Sequence, residues 1–269
     1  MNGDAMTQFE MDLALGEIHL RSSAFARHVE SAKQSIERML SICNRTYISL
    51  SFGKQSICMT HLISSMNKNI PAFFLASSET WQLYNFVEVI AGLLAKIDMD
   101  ITIVQTNRHG INLKPAIDQM SEMCPSLKWE FSGEESGIDW RDANSRGHRD
   151  LQDMCNRKDW DGWFWGFSSD ESVKRRITLA KTIEHRNIFR YSDGKFRCCP
   201  LRDWRCLDIA AYIVQNNLKM LDVYERHGLR IRTTARVTGN MAELGGICKT
   251  NISSLNGISE VYREIRTFK

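Results

Sequence analysis

Apolar positions recur along this chain with two periods, and their alternation predicts the fold. From about His28 to Ile42, the residues Val29, Ala32, Ile36, Met39 and Leu40 fall on one helical stripe. Thr46 to Leu50 is β-branched and apolar, which predicts a short buried strand. Behind it Ile57, Leu62, Ile63 and Met66 return at helical spacing, with Ser56 in the position of an N-cap. Ile70 to Ala76 reads as a second strand. Ser77-Ser78-Glu79-Thr80 then leads into a helix whose apolar face is Leu83, Phe86, Val87, Ile90, Leu93 and Leu94. Ile101 to Gln105 predicts a third strand, followed by a polar turn with Arg108, His109 and Gly110.

From about Cys124 to Arg149 the pattern fails, and Ser132-Gly-Glu-Glu-Ser-Gly and Asp142-Ala-Asn-Ser-Arg-Gly read as loop, a lid or excursion. It returns with a helix near His148 to Arg157 and a strongly buried strand within Asp161-Gly-Trp-Phe-Trp-Gly166. Ile188-Phe-Arg-Tyr and Lys195-Phe-Arg-Cys, joined by Ser-Asp-Gly, predict a hairpin. Pro200-Leu-Arg-Asp-Trp204 enters a helix from about Cys206 to Asn216. The first twenty or so residues carry no clear period and read as a poorly ordered or partner-binding arm.

Short buried strands alternating with amphipathic helices place the chain in the α/β class, with an open, mostly parallel sheet and helices on both faces. The division expected is an N-terminal arm over 1–27, an α/β nucleotide-binding domain over 28–216 and a C-terminal extension over 217–269 for substrate or partner.

Composition narrows the classes. The 269 residues are 43% apolar, ample for a core. No apolar run reaches about 18 residues, and the opening Met-Asn-Gly-Asp-Ala-Met is neither basic nor apolar enough for a secretory signal. A cytoplasmic protein without membrane contact is expected. Eight cysteines without close regular spacing read as reduced thiols. Net charge is +3, yet Glu171 to Arg236 carries 15 Lys/Arg against 7 Asp/Glu, so the remainder is acidic. That asymmetry suggests an anionic partner for the later half: a nucleotide, a nucleic acid or a sulfate-like group.

Two turns carry candidate chemistry. Ser51-Phe-Gly53-Lys54-Gln-Ser56 joins a strand to a helix, and such a turn aims backbone N–H groups and a helix N-terminus at an anion. It is too short for the Gly-x4-Gly-Lys-Ser/Thr nucleotide loop and lacks the Gly-x-Gly-x-x-Gly pattern. Gly166-Phe-Ser-Ser-Asp170-Glu171-Ser172-Val-Lys174-Arg175-Arg176 places an acidic pair and a hydroxyl ahead of a helix with basic residues in its first turn. Acidic residues complement the positive helix end, whereas basic ones there point to an anion.

Three stretches now resemble one family in the right order. Ser51-Phe-Gly-Lys-Gln-Ser56 resembles the Ser-Gly-Gly-Lys-Asp-Ser loop of the adenine nucleotide α-hydrolases. Gly166 to Arg176 is similar to the Gly-x-Arg-x-Asp-Glu-Ser-x-x-Arg-Arg signature of their phosphoadenosine phosphosulfate (PAPS) reductase branch. Pro200-Leu-Arg-Asp-Trp204 through Asp208 to Tyr212 resembles that branch's Pro-Leu-x-x-Trp-x-x-x-Asp-Val-x-x-Tyr segment. Phe52, Gln55 and Ser168 stand where the family has glycine, aspartate and arginine.

The resemblance implies a sheet that binds ATP or a sulfonucleotide. In ATP-using members the α–β bond breaks, giving pyrophosphate and an adenylylated acceptor. It implies catalytic roles for Lys54, Asp170, Arg175 and Arg176, and nucleotide contacts from Ser51, Gly53, Lys54, Ser56, Gly166, Glu171 and Ser172. Glu79-Thr80 stands where many relatives have an Asp-Thr nucleotide or Mg²⁺ contact. ATP and Mg²⁺ are therefore expected; no metal ligand is assigned. The leading function is an ATP pyrophosphatase that adenylylates an acceptor for sulfur transfer. DNA phosphorothioation beside a cysteine desulfurase is one such role, and self-association into a homo-oligomer is compatible with it. A sulfate adenylyltransferase small subunit and a sulfonucleotide reductase are alternatives, although the tail lacks the reductases' Glu-Cys-Gly-x-His segment. A non-catalytic nucleotide-binding subunit is a third, motivated by Gln55 and Phe52. Cys198, Cys199, Cys206 and Cys248 could form a set of four, but buried thiols are favoured over an iron–sulfur cluster.

Overall fold

Thr46–Leu50 (β1) is the strand around which the sheet is assembled in this computed structural model, which describes residues 6–67, 69–76, 86–106, 127–132, 159–180 and 187–230. The other described strands are Ala72–Ala76 (β2), Ile101–Thr106 (β3), Leu127–Ser132 (β4), Gly162–Trp165 (β5), Ile188–Arg190 (β6) and Phe196–Cys198 (β7). They form one sheet in the order β4-β3-β2-β1-β5-β7-β6. Every pairing is parallel except β6 with β7, the predicted hairpin. The chain runs outward from β1 to β4, then crosses back to place β5 on the opposite side of β1. Strand order therefore reverses between β1 and β5, and in open α/β sheets the crevice at such a point is where ligands bind.

The described helices are Gln8–His19 (α1), Ser23–Ile42 (α2), Lys54–Met66 (α3), Phe86–Leu94 (α4), Val173–Ala180 (α5), Cys206–Asn216 (α6) and Asp222–His227 (α7). Ile48, Leu50, Phe74, Ile103, Phe164 and Cys198 turn to one face of the sheet, where α2, α3, α4, α6 and α7 close the main core. On the other face, Leu179 of α5 covers Phe189 and Cys199. Helices on both faces follow, as the sequence pattern predicts.

Several local readings are corrected. The segment 8–19, expected to be an arm, is a helix with a capping box: Glu10 N donates to Thr7 Oγ1 at 3.2 Å, and Thr7 N donates to Glu10 Oε2 at 2.7 Å. It packs on α6 and α7. No apolar period announces it because its buried positions are Asp12 and Gly16, while Met11, Leu15 and Ile18 are exposed. Gly16 is needed at that crossing, since a Cβ would lie 2.6 Å from the Ala210 carbonyl carbon.

Helix α2 begins at Ser23, five residues before the predicted start, behind the N-cap Ser22, whose Oγ accepts from Phe25 N at 3.1 Å. Ser56 is not an N-cap; Gly53 holds that position and Ser56 lies in the first turn. Within the stretch read as loop, Leu127–Ser132 is an edge strand. Strands at an edge need only a few alternating apolar residues, a weak signal among loop-forming neighbours. The helix expected near 148–157 and the turn around Arg108 lie outside the described residues. No helix among the described residues is long and apolar enough to cross a membrane.

Candidate functional site

At the carboxyl end of β1 the chain turns sharply into α3. Phe52 makes the turn in the left-handed region (φ 53°), where a glycine would be unstrained. A phenylalanine is held there because its ring is fully buried and meets Phe74 edge-on, centroids 4.9 Å apart. Gly53 then caps α3, Ser51 N donates to Ser56 Oγ at 2.8 Å, and Ile57 N donates to Gly53 O at 2.9 Å. The loop is thus closed by its own hydroxyl.

The carboxyl end of β5 lies directly against this turn. A Cβ on Gly166 would stand 2.8 Å from both Ser56 Cα and Ser56 N, so only glycine permits the approach. Ser168 is buried beyond it, and a short 3₁₀ turn, Ser169–Glu171, leads to α5. Ser172 Oγ accepts from Arg175 N at 3.1 Å and so caps α5. The Arg175 guanidinium pairs with Glu171 and lies 4.0 Å from the Phe167 ring centroid. The basic first turn of α5 therefore meets the chain's own carboxylate, a partner the sequence reading replaced with a bound anion. Arg176 is exposed.

Asp170 reaches the other way. Its Oδ2 accepts from Cys206 N at 3.1 Å, satisfying the first backbone donor of α6 and complementing that helix's positive end. The same helix is held behind by Asp208, 1% exposed, which accepts from Arg205 N at 2.8 Å and lies 2.8 Å from His19 Nε2. Trp204 donates its indole N–H to His28 O at 3.2 Å, and Tyr212 Oη lies 3.0 Å from His61 Nδ1. Trp204, Asp208 and Tyr212, the third matching stretch, are thus interior residues that fix α6.

These elements enclose a cavity of about 450 Å³. Of the expected site residues, Lys54, Asp170 and Glu171 line it, with Gln55 and Ser168 beside them. Arg205, Cys206, Leu207, Leu229 and Arg230 complete the wall and were not among the expected site residues. Arg205 and Cys206 lie at the α6 start that Asp170 caps, so that capping bond is the signal that could have found them. Leu229 and Arg230 come from the turn after α7, for which no local motif exists. Ser51, Gly53, Ser56, Gly166, Ser172, Arg175 and Arg176 do not line the cavity; they shape the loops around it. Glu79 and Thr80 lie outside the described residues.

Charge in the cavity is mixed. Lys54, 3% exposed, faces a rim with Arg205 and Arg230, while Asp170 and Glu171 supply carboxylates. Burial pushes the Cys206 thiol up to about 11, with the Lys54 ammonium working against it. Phosphate oxygens suit the lysine, the arginines and the α3 N-terminus. Glu171 is committed to Arg175, which leaves Asp170 as the carboxylate suited to a Mg²⁺ that also takes substrate phosphates.

An iron–sulfur cluster does not fit the tandem cysteines. Cys198 packs into the main core and Cys199 into the small cluster on the opposite face, so the two thiols cannot meet one cluster. Burial raises both, Cys199 to about 12. Cys248 lies outside the described residues.

Comparison with known proteins agrees with the three stretches. The phosphoadenosine phosphosulfate reductase domain matches residues 45–251. Phosphoadenosine 5'-phosphosulfate reductases of Buchnera aphidicola subsp. Acyrthosiphon pisum, strains 5A and Tuc7, are each 26% identical over 216 residues, covering 78% of this chain and 76% of theirs. Among solved structures, PAPS reductase from Candida auris in a phosphate complex aligns with a TM-score of 0.49 and 12% identity over 83% of this chain and 94% of its own. The U34-tRNA thiolase NcsA from Methanococcus maripaludis, with its [4Fe-4S] cluster, aligns with a TM-score of 0.38 and 14% identity, over 89% and 79%. With the family's domain spanning both loops, the cavity between them and the helix behind, this chain belongs to the phosphoadenosine phosphosulfate reductase domain family.

Proposed function

We propose that this protein cleaves the α–β bond of ATP and transfers the adenylyl group to an acceptor that is then open to sulfur. One observation carries the reading: Lys54, at the head of α3, is buried inside a cavity at the reversal point between β1 and β5. With Arg205 and Arg230 on the same cavity wall, this ammonium offers a polyphosphate several cationic partners at once.

In this reading the β- and γ-phosphates lie against Lys54 and the start of α3, with Arg205 and Arg230 closing over them from the rim. An acceptor oxygen attacks the α-phosphorus, the bond to the bridging oxygen breaks, and its electron pair leaves with pyrophosphate. Lys54 and the α3 N–H groups stabilise that growing charge from fixed positions, which need no reorganisation as the bond breaks. A Mg²⁺ held by Asp170 would neutralise phosphate charge. Gln55, where relatives carry aspartate, offers an amide in place of a second carboxylate. DNA acting with a cysteine desulfurase is one acceptor system consistent with the basic later half of the chain.

A reductase reading has its own support in the family match and in Cys206, a thiol in the cavity wall. Burial holds that thiol up to about 11, so it is largely protonated near neutrality. The deciding assay incubates the protein with α-labelled ATP, Mg²⁺, a desulfurase and DNA, and in parallel with a sulfonucleotide and a dithiol reductant. Labelled AMP or adenylylated acceptor with pyrophosphate is expected. Sulfite from the second mixture alone would replace this reading with the reductase one.

A further inference from the structure

Lys54 is gripped at both ends by one side chain. Its backbone N–H, the first of α3, donates to Tyr224 Oη at 3.1 Å, and its ammonium lies 5.3 Å from the centroid of the same tyrosine ring. That distance is within cation–π range. Tyr224 is fully buried and does not line the cavity, so it stands behind the lysine rather than in a ligand's place.

Tyr224 is itself fixed. Its N–H donates to Leu221 O at 2.9 Å, and Gly228 N donates back to Tyr224 O at 2.7 Å, closing α7. Gly228 follows with φ 79°, and Leu229 N donates to the buried Asp12 carboxylate of α1 at 2.7 Å. Leu229 and Arg230, the next residues, line the cavity. One tyrosine thus joins Lys54 to the segment that brings Leu229 and Arg230 to the cavity, and α1 anchors that segment.

We propose that Tyr224 is a positioning residue for Lys54. Its hydroxyl pins the first N–H of α3 and its ring face supports the ammonium, so the lysine head is aimed into the cavity before a ligand arrives. This inference rests on the reading of the cavity as a phosphate site.

The test is a double-mutant cycle on the full chain, with inorganic pyrophosphate as the probe and calorimetric titration as the measurement. Tyr224→Phe keeps the ring and removes the acceptor; loss of one such hydrogen bond is expected to weaken pyrophosphate binding about five-fold. In a Lys54→Ala background, where residue 54 keeps its backbone N–H but not the ammonium, the same substitution should change binding less than two-fold, because the side chain it aims is gone. A purely structural role would give the same loss in both backgrounds, and that result, or unchanged binding by Tyr224→Phe alone, overturns the proposal. A wild-type chain that binds no pyrophosphate would instead overturn the phosphate-site reading itself. Thermal melting of each variant, expected to stay cooperative, shows that binding losses are not unfolding.

Discussion

Asp170 Oδ2 accepts the backbone N–H of Cys206 at 3.1 Å, joining the exit of β5 to the start of α6, and both residues line the cavity. The carboxylate has two tasks there, capping a helix and facing the site, and they separate by substitution. Asp170→Asn keeps an oxygen acceptor, so stability should fall by no more than about 0.5 kcal/mol, whereas Asp170→Ala should cost about 1 kcal/mol. Both should lose adenylyl transfer if the charge holds Mg²⁺. Urea melts beside an AMP assay check this; an Asp170→Asn variant with full turnover would leave the cap as its whole role.

Phe52 sets two terms against each other. Its left-handed backbone costs about 1–2 kcal/mol relative to glycine, while truncating a buried phenylalanine costs about 3–5 kcal/mol. Phe52→Gly and Phe52→Ala should both destabilise the fold, with the glycine variant the more stable of the two by about 1 kcal/mol. Equilibrium urea unfolding gives the order directly. The reverse order would show that the turn is not strained.

His61 predicts acid sensitivity. Burial, and secondarily the Lys96 ammonium, lower its pKa below the ordinary 6.5. The folded chain then binds this proton less readily than the unfolded chain does. Its contribution is fully present above about pH 6.5 and is lost as pH falls through the depressed folded value. His61→Gln should start less stable at pH 8, having lost the imidazole contact with Tyr212 Oη, but should decline less steeply below pH 6.5. Parallel slopes for wild type and variant would remove His61 from the acid response.

Cys206 is a built-in reporter of occupancy. With its thiol pushed up to about 11, alkylation should be slow at pH 7 and accelerate with pH. Cys43 and Cys199, raised to about 12, should react more slowly still. Pyrophosphate or ATP should slow labelling of Cys206 at least several-fold and leave the other two unchanged. Peptide mapping after timed iodoacetamide treatment measures all three together, and labelling of Cys206 indifferent to both ligands would place the nucleotide elsewhere.

How far the site is legible in the chain depends on the residue. Lys54 and Asp170 are adjacent in sequence to the strands that deliver them, so a strand followed by a small-residue turn already locates them. Arg175 reads as an anion-binding charge until its position against Glu171 is seen. Gly166 reads as a nucleotide contact, yet its requirement is the backbone of Ser56 at 2.8 Å. The backbone that Gly166 meets is remote in sequence, whereas Glu171 lies four residues before Arg175, a spacing that itself offers an ion pair beside the bound-anion reading.

The alternation of short buried strands and amphipathic helices, the turn at Ser51–Ser56, the 188–198 hairpin and the Cys206–Asn216 helix were determined by sequence alone. Each rests on local propensity and period, which act over a few residues. The tertiary structure decided what no period encodes: that α1 buries Asp12 and Gly16, that Cys198 and Cys199 face opposite sides of the sheet, and that Tyr224 stands behind Lys54. Those pairings join residues up to 217 positions apart, as Asp12 and Leu229 do, and only the closing of the sheet at β1 and β5 brings such groups within hydrogen-bonding distance.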